Sequence, residues 1–169
     1  EIYNFKDIRR ELEDKGRSFV SSSDTEVLLH AYQEWGSDCV ERLNGMFAFA
    51  LYDRREKRLT LARDRYGIKP LYIYRGPSVL LFASEAKAFL NHPEFPSKLN
   101  LLGVQEYLSF QNFFSDQTLL EGVVEFPPAS VATLDLSQGC DLRLEPKTFW
   151  DFRFEQEESG ASDEEYYEE

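Results

Sequence analysis

Apolar side chains at Phe5, Ile8 and Leu12 fall on one face of a helix that Asn4 can cap and Gly16 can stop. Residues 18–20 read as a short strand. A second helix follows, with Val27, Leu28, Ala31, Tyr32 and Trp35 as its apolar stripe and Gly36 at its end. Ser23 and Glu26 stand at the spacing of a capping box, in which each side chain satisfies the other's free backbone donor. A short helix over 38–43 leads into Asn44-Gly45.

From residue 46 the period changes. Residues 46–52 are continuously apolar, as expected of a strand buried on both faces. The charged string Asp53-Arg54-Arg55-Glu56-Lys57 turns the chain, and 59–64 returns it. Residues 71–74 and 79–83 make a second hairpin around Gly76-Pro77. Helices are predicted from Ser84 or Glu85 to Leu90 and over 101–110, followed by short strands at 131–136 and 148–152. Helices flanking a block of antiparallel hairpins define an α+β class.

Composition narrows the picture. Hydrophobic residues make up 42% and aromatics 15% of the 169 residues, which excludes wholesale disorder. The net charge is −12, but residues 155–169 hold eight acids and no base; without them the balance is −4, ordinary for a soluble domain. Nucleic acid and anionic membrane are therefore not expected as partners. The uncharged stretch 43–52 is too short to span a bilayer, and five charges in the first ten residues exclude a signal peptide there. Cys39 and Cys140 lack Cys-x-x-Cys spacing, and His30 and His92 have no ligands at metal spacing. No metal site is expected, and a reducing, cytoplasmic setting is. Both cysteines read as small buried apolar residues rather than nucleophiles. Arg63, Asp64, Arg65 and Lys69, beside a glycine turn, read as structural ion pairs rather than an anion site, and His30 as a helix-surface or satisfied core residue.

Five strings carry more specific information: E-I-Y-N at 1–4, S-D-T-E-V at 23–27, L-N-G-M-F-A-F-A-L-Y-D at 43–53, A-R-D-R-Y-G-I-K-P-L-Y at 62–72 and F-A-S-E-A-K-A at 82–88. In this order and spacing, residues 1–152 resemble the glutaminase domain of glutamine-hydrolysing asparagine synthetases, a class II glutamine amidotransferase of the N-terminal-nucleophile hydrolase type. The string T-L-L-E-G-V-V-E-F-P-P-A at 118–129 looks like that family's linker toward its synthetase domain, with Ala129 where Gly is usual.

The resemblance implies a partial N-terminal-nucleophile hydrolase fold, a four-layer αββα sandwich over 1–152, followed by an acidic linker at 153–169. It implies glutamine as substrate, with Asp24 accepting hydrogen bonds from the substrate's α-ammonium and Glu1 lining the pocket. A charge-assisted bond suits that task, whereas spacing alone would leave Asp24 as a helix-dipole partner. The family's nucleophile is an N-terminal Cys ahead of E-I-Y-N. No catalytic residue is therefore assigned within this chain, which is expected to be inactive alone. ATP and Mg²⁺ are implied for a C-terminal synthetase domain whose S-G-G-x-D-S loop is not found here; Ser159-Gly160-Ala161-Ser162-Asp163 lacks its second Gly. Without the family's first strands, open sheet edges are expected to favour a homodimer or edge-strand self-association. Two other readings stand beside this one: a degenerate, scaffolding module, and the glutaminase half of an amidotransferase with a different acceptor.

Overall fold

The computed structural model describes residues 1–137 and 142–152. Three helices come first: α1 (Phe5–Asp14), α2 (Asp24–Trp35) and the short α3 (Cys39–Arg42), entered through a 3₁₀ turn at Gly36–Asp38. Strands β1 (Ala48–Asp53), β2 (Arg58–Arg63), β3 (Tyr72–Arg75) and β4 (Leu80–Ala83) follow as two hairpins. After a 3₁₀ segment at Ala86–Asn91 come α4 (Leu101–Phe110), β5 (Val123–Glu125), β6 (Ser130–Asp135) and the two-residue β7 (Lys147–Thr148). The strands form two antiparallel sheets, ordered β1-β2-β6-β7 and β4-β3-β5.

Three apolar clusters show how the layers stack. Ile8, Leu12, Val27, Ala31, Val40 and Leu43 of the helical layer pack on Phe47, Phe49, Ala62 and Val131, one face of the first sheet. Side chains alternate along a strand, so Leu59, Leu61 and Ala132 point the other way. They meet Ile73, Leu80, Val124 and Phe126 of the second sheet. On the far face of that sheet, Tyr72, Tyr74, Leu81 and Val123 pack with Phe89 and Phe95. The order is helix, sheet, sheet, helical segment. β2 is covered on both faces, and Thr60 is fully buried on the helix side, where its hydroxyl meets Tyr32 Oη at 2.9 Å and Thr133 Oγ1 at 3.0 Å.

Several local expectations are corrected. Residues 18–20 form no strand: Val20 is fully exposed and gives its N–H to the Glu26 carboxylate at 2.8 Å. The capping box is displaced. Ser23 accepts from Thr25 N–H, while Glu26 reaches past Ser23 to the N–H groups of Val20 and Ser21. Asn4 sits at the start of α1 without capping it, because its amide bridges Arg42 O and Asn44 N–H, each at 2.9 Å. Residues 86–91 are 3₁₀ rather than α, and the last predicted strand shrinks to β7. The linker-like string holds β5, which pairs with β3 and buries Val123.

β1 departs from the expectation of burial on both faces, because it ends its sheet: Ala50 is exposed and Tyr52 is 52% exposed. Phe47, Phe49, Leu51 and Asp53 direct their backbone groups toward β2, a register fixed by the Asp64 N–H bond to Phe47 O at 2.8 Å. Ala48, Ala50 and Tyr52 therefore direct theirs outward, and among the described residues no strand pairs with them.

Candidate functional site

The opening string is held as a strand. Glu1 N donates to Met46 O at 2.7 Å, Met46 N–H returns a bond to Glu1 O at 3.0 Å, and Tyr3 N–H reaches Asn44 O at 2.7 Å. Gly45 permits this approach. A Cβ there would lie 2.2 Å from Glu1 O and 2.9 Å from Ile2 Cα, both backbone atoms. Two strings far apart in sequence, E-I-Y-N and L-N-G-M, are thus one small ladder.

Asp24 opens α2 directly after its Ser23 cap. Its Oδ2 accepts the Ile2 N–H at 3.0 Å, so the carboxylate is turned toward the opening strand. Oδ1 makes no hydrogen bond among the described residues. Glu1 and Asp24 line one cleft of about 410 Å³, together with Met46, Phe47, Lys69 and Ser84. Two acidic residues and one lysine thus line a partly apolar hollow, an arrangement suited to a ligand carrying its own charges.

A larger cleft of about 670 Å³ lies between α2 and the β1–β2 hairpin, lined by Arg17, Tyr32, Leu51 and Tyr52. It contains neither Glu1 nor Asp24 and follows the open edge of β1. A third hollow, about 510 Å³ and mainly apolar, lies beside Tyr72, Leu99, Phe113 and Leu120 and shares Ser84 with the Glu1–Asp24 cleft.

The Arg63–Lys69 string supports the cleft, though not through the expected pairing of its own charges. Arg63, 5% exposed, donates through its guanidinium to the carbonyls of Gly67, Lys69 and Phe126 and pairs with Glu125 at 2.6 Å. Gly67 at φ +63° closes the turn against it. Asp64 is fully buried and accepts four backbone N–H groups, from Phe47, Tyr66, Ile68 and Lys69. Sequence reading named Asp64 as structural but expected an ion pair where it takes backbone N–H groups, and it missed Glu125 as the partner of Arg63.

Cys39 is buried, and burial, with the Asp38 charge second, pushes its thiol up to about 12. It lies outside the cleft, so it supplies no thiolate there. Cys140, the Ser159–Asp163 string and the acidic segment from 153 lie outside the described residues. His30 is half-buried and packs edge-on against Phe19; its buried Nδ1 has no hydrogen-bond partner among the described residues, so of the two expected roles it is not a satisfied core residue. Also among the described residues, no group of three acidic, His or Cys side chains could hold a metal, and no helix is long and apolar enough to cross a membrane.

Comparison with known proteins gives the family and the fold. The family described as "Glutamine amidotransferase domain" matches residues 1–150. The glutamine-hydrolyzing asparagine synthetase 3 of Bacillus subtilis (strain 168) is 42% identical over 134 residues, 79% of this chain and 22% of that protein. The glutamine-hydrolyzing asparagine synthetase 3 of Arabidopsis thaliana is 49% identical over 89 residues, 52% of this chain and 15% of that protein. The chain thus spans about a fifth or less of the length of these relatives. Among solved structures, glutamine phosphoribosylpyrophosphate amidotransferase from B. subtilis, complexed with ADP and GMP, superposes with a TM-score of 0.58 at 21% identity, covering 88% of this chain and 27% of that one. That likeness shows the fold, the α+β N-terminal-nucleophile hydrolase architecture expected from the motifs. The chain belongs to the glutamine amidotransferase domain family.

Proposed function

We propose that this chain is the glutamine-hydrolysing part of an asparagine synthetase, releasing ammonia from glutamine for the ATP-dependent amidation of aspartate. The observation that carries this reading is the meeting of Glu1 and Asp24 in one cleft, with Asp24 locked toward the opening strand by Ile2 N–H. In the proposed complex, Asp24 Oδ1 receives the substrate α-ammonium and Glu1 borders the same end of the pocket. A Cys thiolate attacks the side-chain amide carbon, ammonia leaves, and water then releases glutamate from the thioester. In the family the motifs resemble, that Cys stands ahead of the E-I-Y-N string; Cys39 is buried outside the cleft and is not assigned the role.

ATP and Mg²⁺ act, in this reading, in a separate synthetase domain, and no residue of this chain is assigned to them. The outer surface supports such a partner. Leu101 and Leu108, on one face of α4, are each 76% exposed, and Phe110 and Phe114, which pack on each other, are 63% and 75% exposed; exposed apolar side chains of this kind suit an interface. The outward backbone groups of Ala48, Ala50 and Tyr52 on β1 are where a further strand would add, from the same protein or from a second copy.

Glutamate release by the full-length protein tests the reading, with L-glutamine compared with N-acetyl-L-glutamine. The expected result is turnover of L-glutamine, asparagine formed when ATP and aspartate are supplied, and loss of turnover when the α-amino group is acylated. Absence of glutamate release, or equal turnover of both compounds, would contradict it.

A further inference from the structure

Asp64 touches no part of the cleft's surface, yet it is tied to two of the segments that form it. Its Oδ2 accepts the Phe47 N–H at 3.2 Å and the Lys69 N–H at 3.0 Å, and Phe47 and Lys69 both line the Glu1–Asp24 cleft. Its Oδ1 accepts Tyr66 N–H at 3.1 Å and Ile68 N–H at 3.0 Å, and its backbone carbonyl takes Gly67 N–H at 3.1 Å and Ala129 N–H at 2.8 Å. The side chain is fully buried, whereas Lys69, whose amide it holds, is exposed at the surface. A carboxylate offers only acceptors, and all four partners are donors. One oxygen organises the turn at residues 66–68, and the other bridges the turn's exit to the entry of β1.

We propose that Asp64 is a positioning residue for the glutamine cleft: through Oδ2 it sets the spacing between the Phe47 wall and the Lys69 wall. This rests on the reading of that cleft as the glutamine site. The chemistry explains why the residue is Asp. An Asn places its NH₂ against one pair of N–H donors in either orientation, so two of the four amides lose their acceptor. If the pair lost is Phe47 and Lys69, the walls are released from each other. Misplacement on the scale of an ångström at a substrate site is enough to lower its efficiency by up to about a hundredfold.

The test uses the full-length protein, with glutamine-dependent kinetics measured beside melting. Asp64→Asn is expected to raise KM for glutamine about tenfold or more, with kcat falling less and ammonia-dependent synthesis unchanged. Thr60→Ala is the comparison, since Thr60 is equally buried and hydrogen-bonded but does not border the cleft. It should lower the melting temperature and leave KM unchanged. A residue that merely holds the fold would lower kcat with the folded fraction at constant KM, and that result for Asp64→Asn overturns the proposal. Asp24→Asn in the same assay separates the two claims. If it leaves glutamine use intact, the site reading and the proposal both fall. If it acts while Asp64→Asn leaves KM unchanged, only the positioning role falls. Should Asp64→Asn not fold, hydrogen exchange of the wild-type protein decides: saturating glutamine should slow exchange in the peptides containing Phe47 and Lys69 together, and no change in either overturns the proposal.

Discussion

Ile2 N–H lies 3.0 Å from Asp24 Oδ2, joining the opening strand to the first residue of α2 across twenty-two positions of sequence. The bond spends one carboxylate oxygen on the fold and leaves the other beside the cleft. It also makes the aim of Asp24 depend on how closely residues 1–3 lie against residues 44–46. The orientation of the Asp24 carboxylate is thus built on a backbone contact, and Gly45 is what allows that contact.

Gly45→Ala should therefore injure both stability and the site. The added Cβ meets backbone on two sides, so relief requires the short ladder to open. Forcing an atom into packed space costs about 1–3 kcal/mol. Chemical denaturation should show a loss of that order, and glutamine-dependent kcat/KM should fall because Glu1 and Ile2 shift together. Unchanged kinetics in a fully folded variant would mean that the ladder does not set the site.

Glu26 predicts a particular acid limb. The Ser21 hydroxyl, then the Val20 and Ser21 N–H groups, hold its carboxyl at about 2 against an ordinary 4.5. A depressed value in the folded state means that the ionised form is favoured by folding. Its contribution is complete above about pH 4.5 and is lost as the pH falls toward 2. Glu26→Gln should be less stable than the parent at neutral pH, and the two stability curves should converge between those values. Curves that stay parallel down to pH 2 would show that Glu26 does not clamp the 20–21 loop.

Much of this was legible locally. The stripe from Val27 to Trp35 predicts α2, and the polar turn at 53–57 predicts the β1–β2 hairpin; both signals lie within one element or between neighbours. What escaped depends on distant partners. Residues 18–20 have strand-like composition but no strand beside them, and the Glu26 carboxylate takes the amides of Val20 and Ser21 instead. β5 is three residues long and exists because β3 lies next to it. Arg63 pairs with Glu125, sixty-two positions away, rather than with its neighbour Asp64. For the site, the motifs named Asp24 and Glu1, and the geometry adds what holds them, Ile2 and Gly45, and the Asp64 bridge between two other cleft segments.

The most direct measurement compares the two nitrogen sources in full-length Asp24→Asn. The substitution keeps an oxygen for Ile2 N–H and removes the charge that faces the substrate ammonium. A charge-assisted hydrogen bond contributes about 1.5–3 kcal/mol. Glutamine-dependent kcat/KM should therefore fall roughly 10- to 150-fold, at tenfold per 1.36 kcal/mol, while ammonia-dependent asparagine synthesis stays unchanged. An equal fall in both reactions, or no fall with glutamine, would contradict the assignment of Asp24 and with it the cleft as the glutamine site.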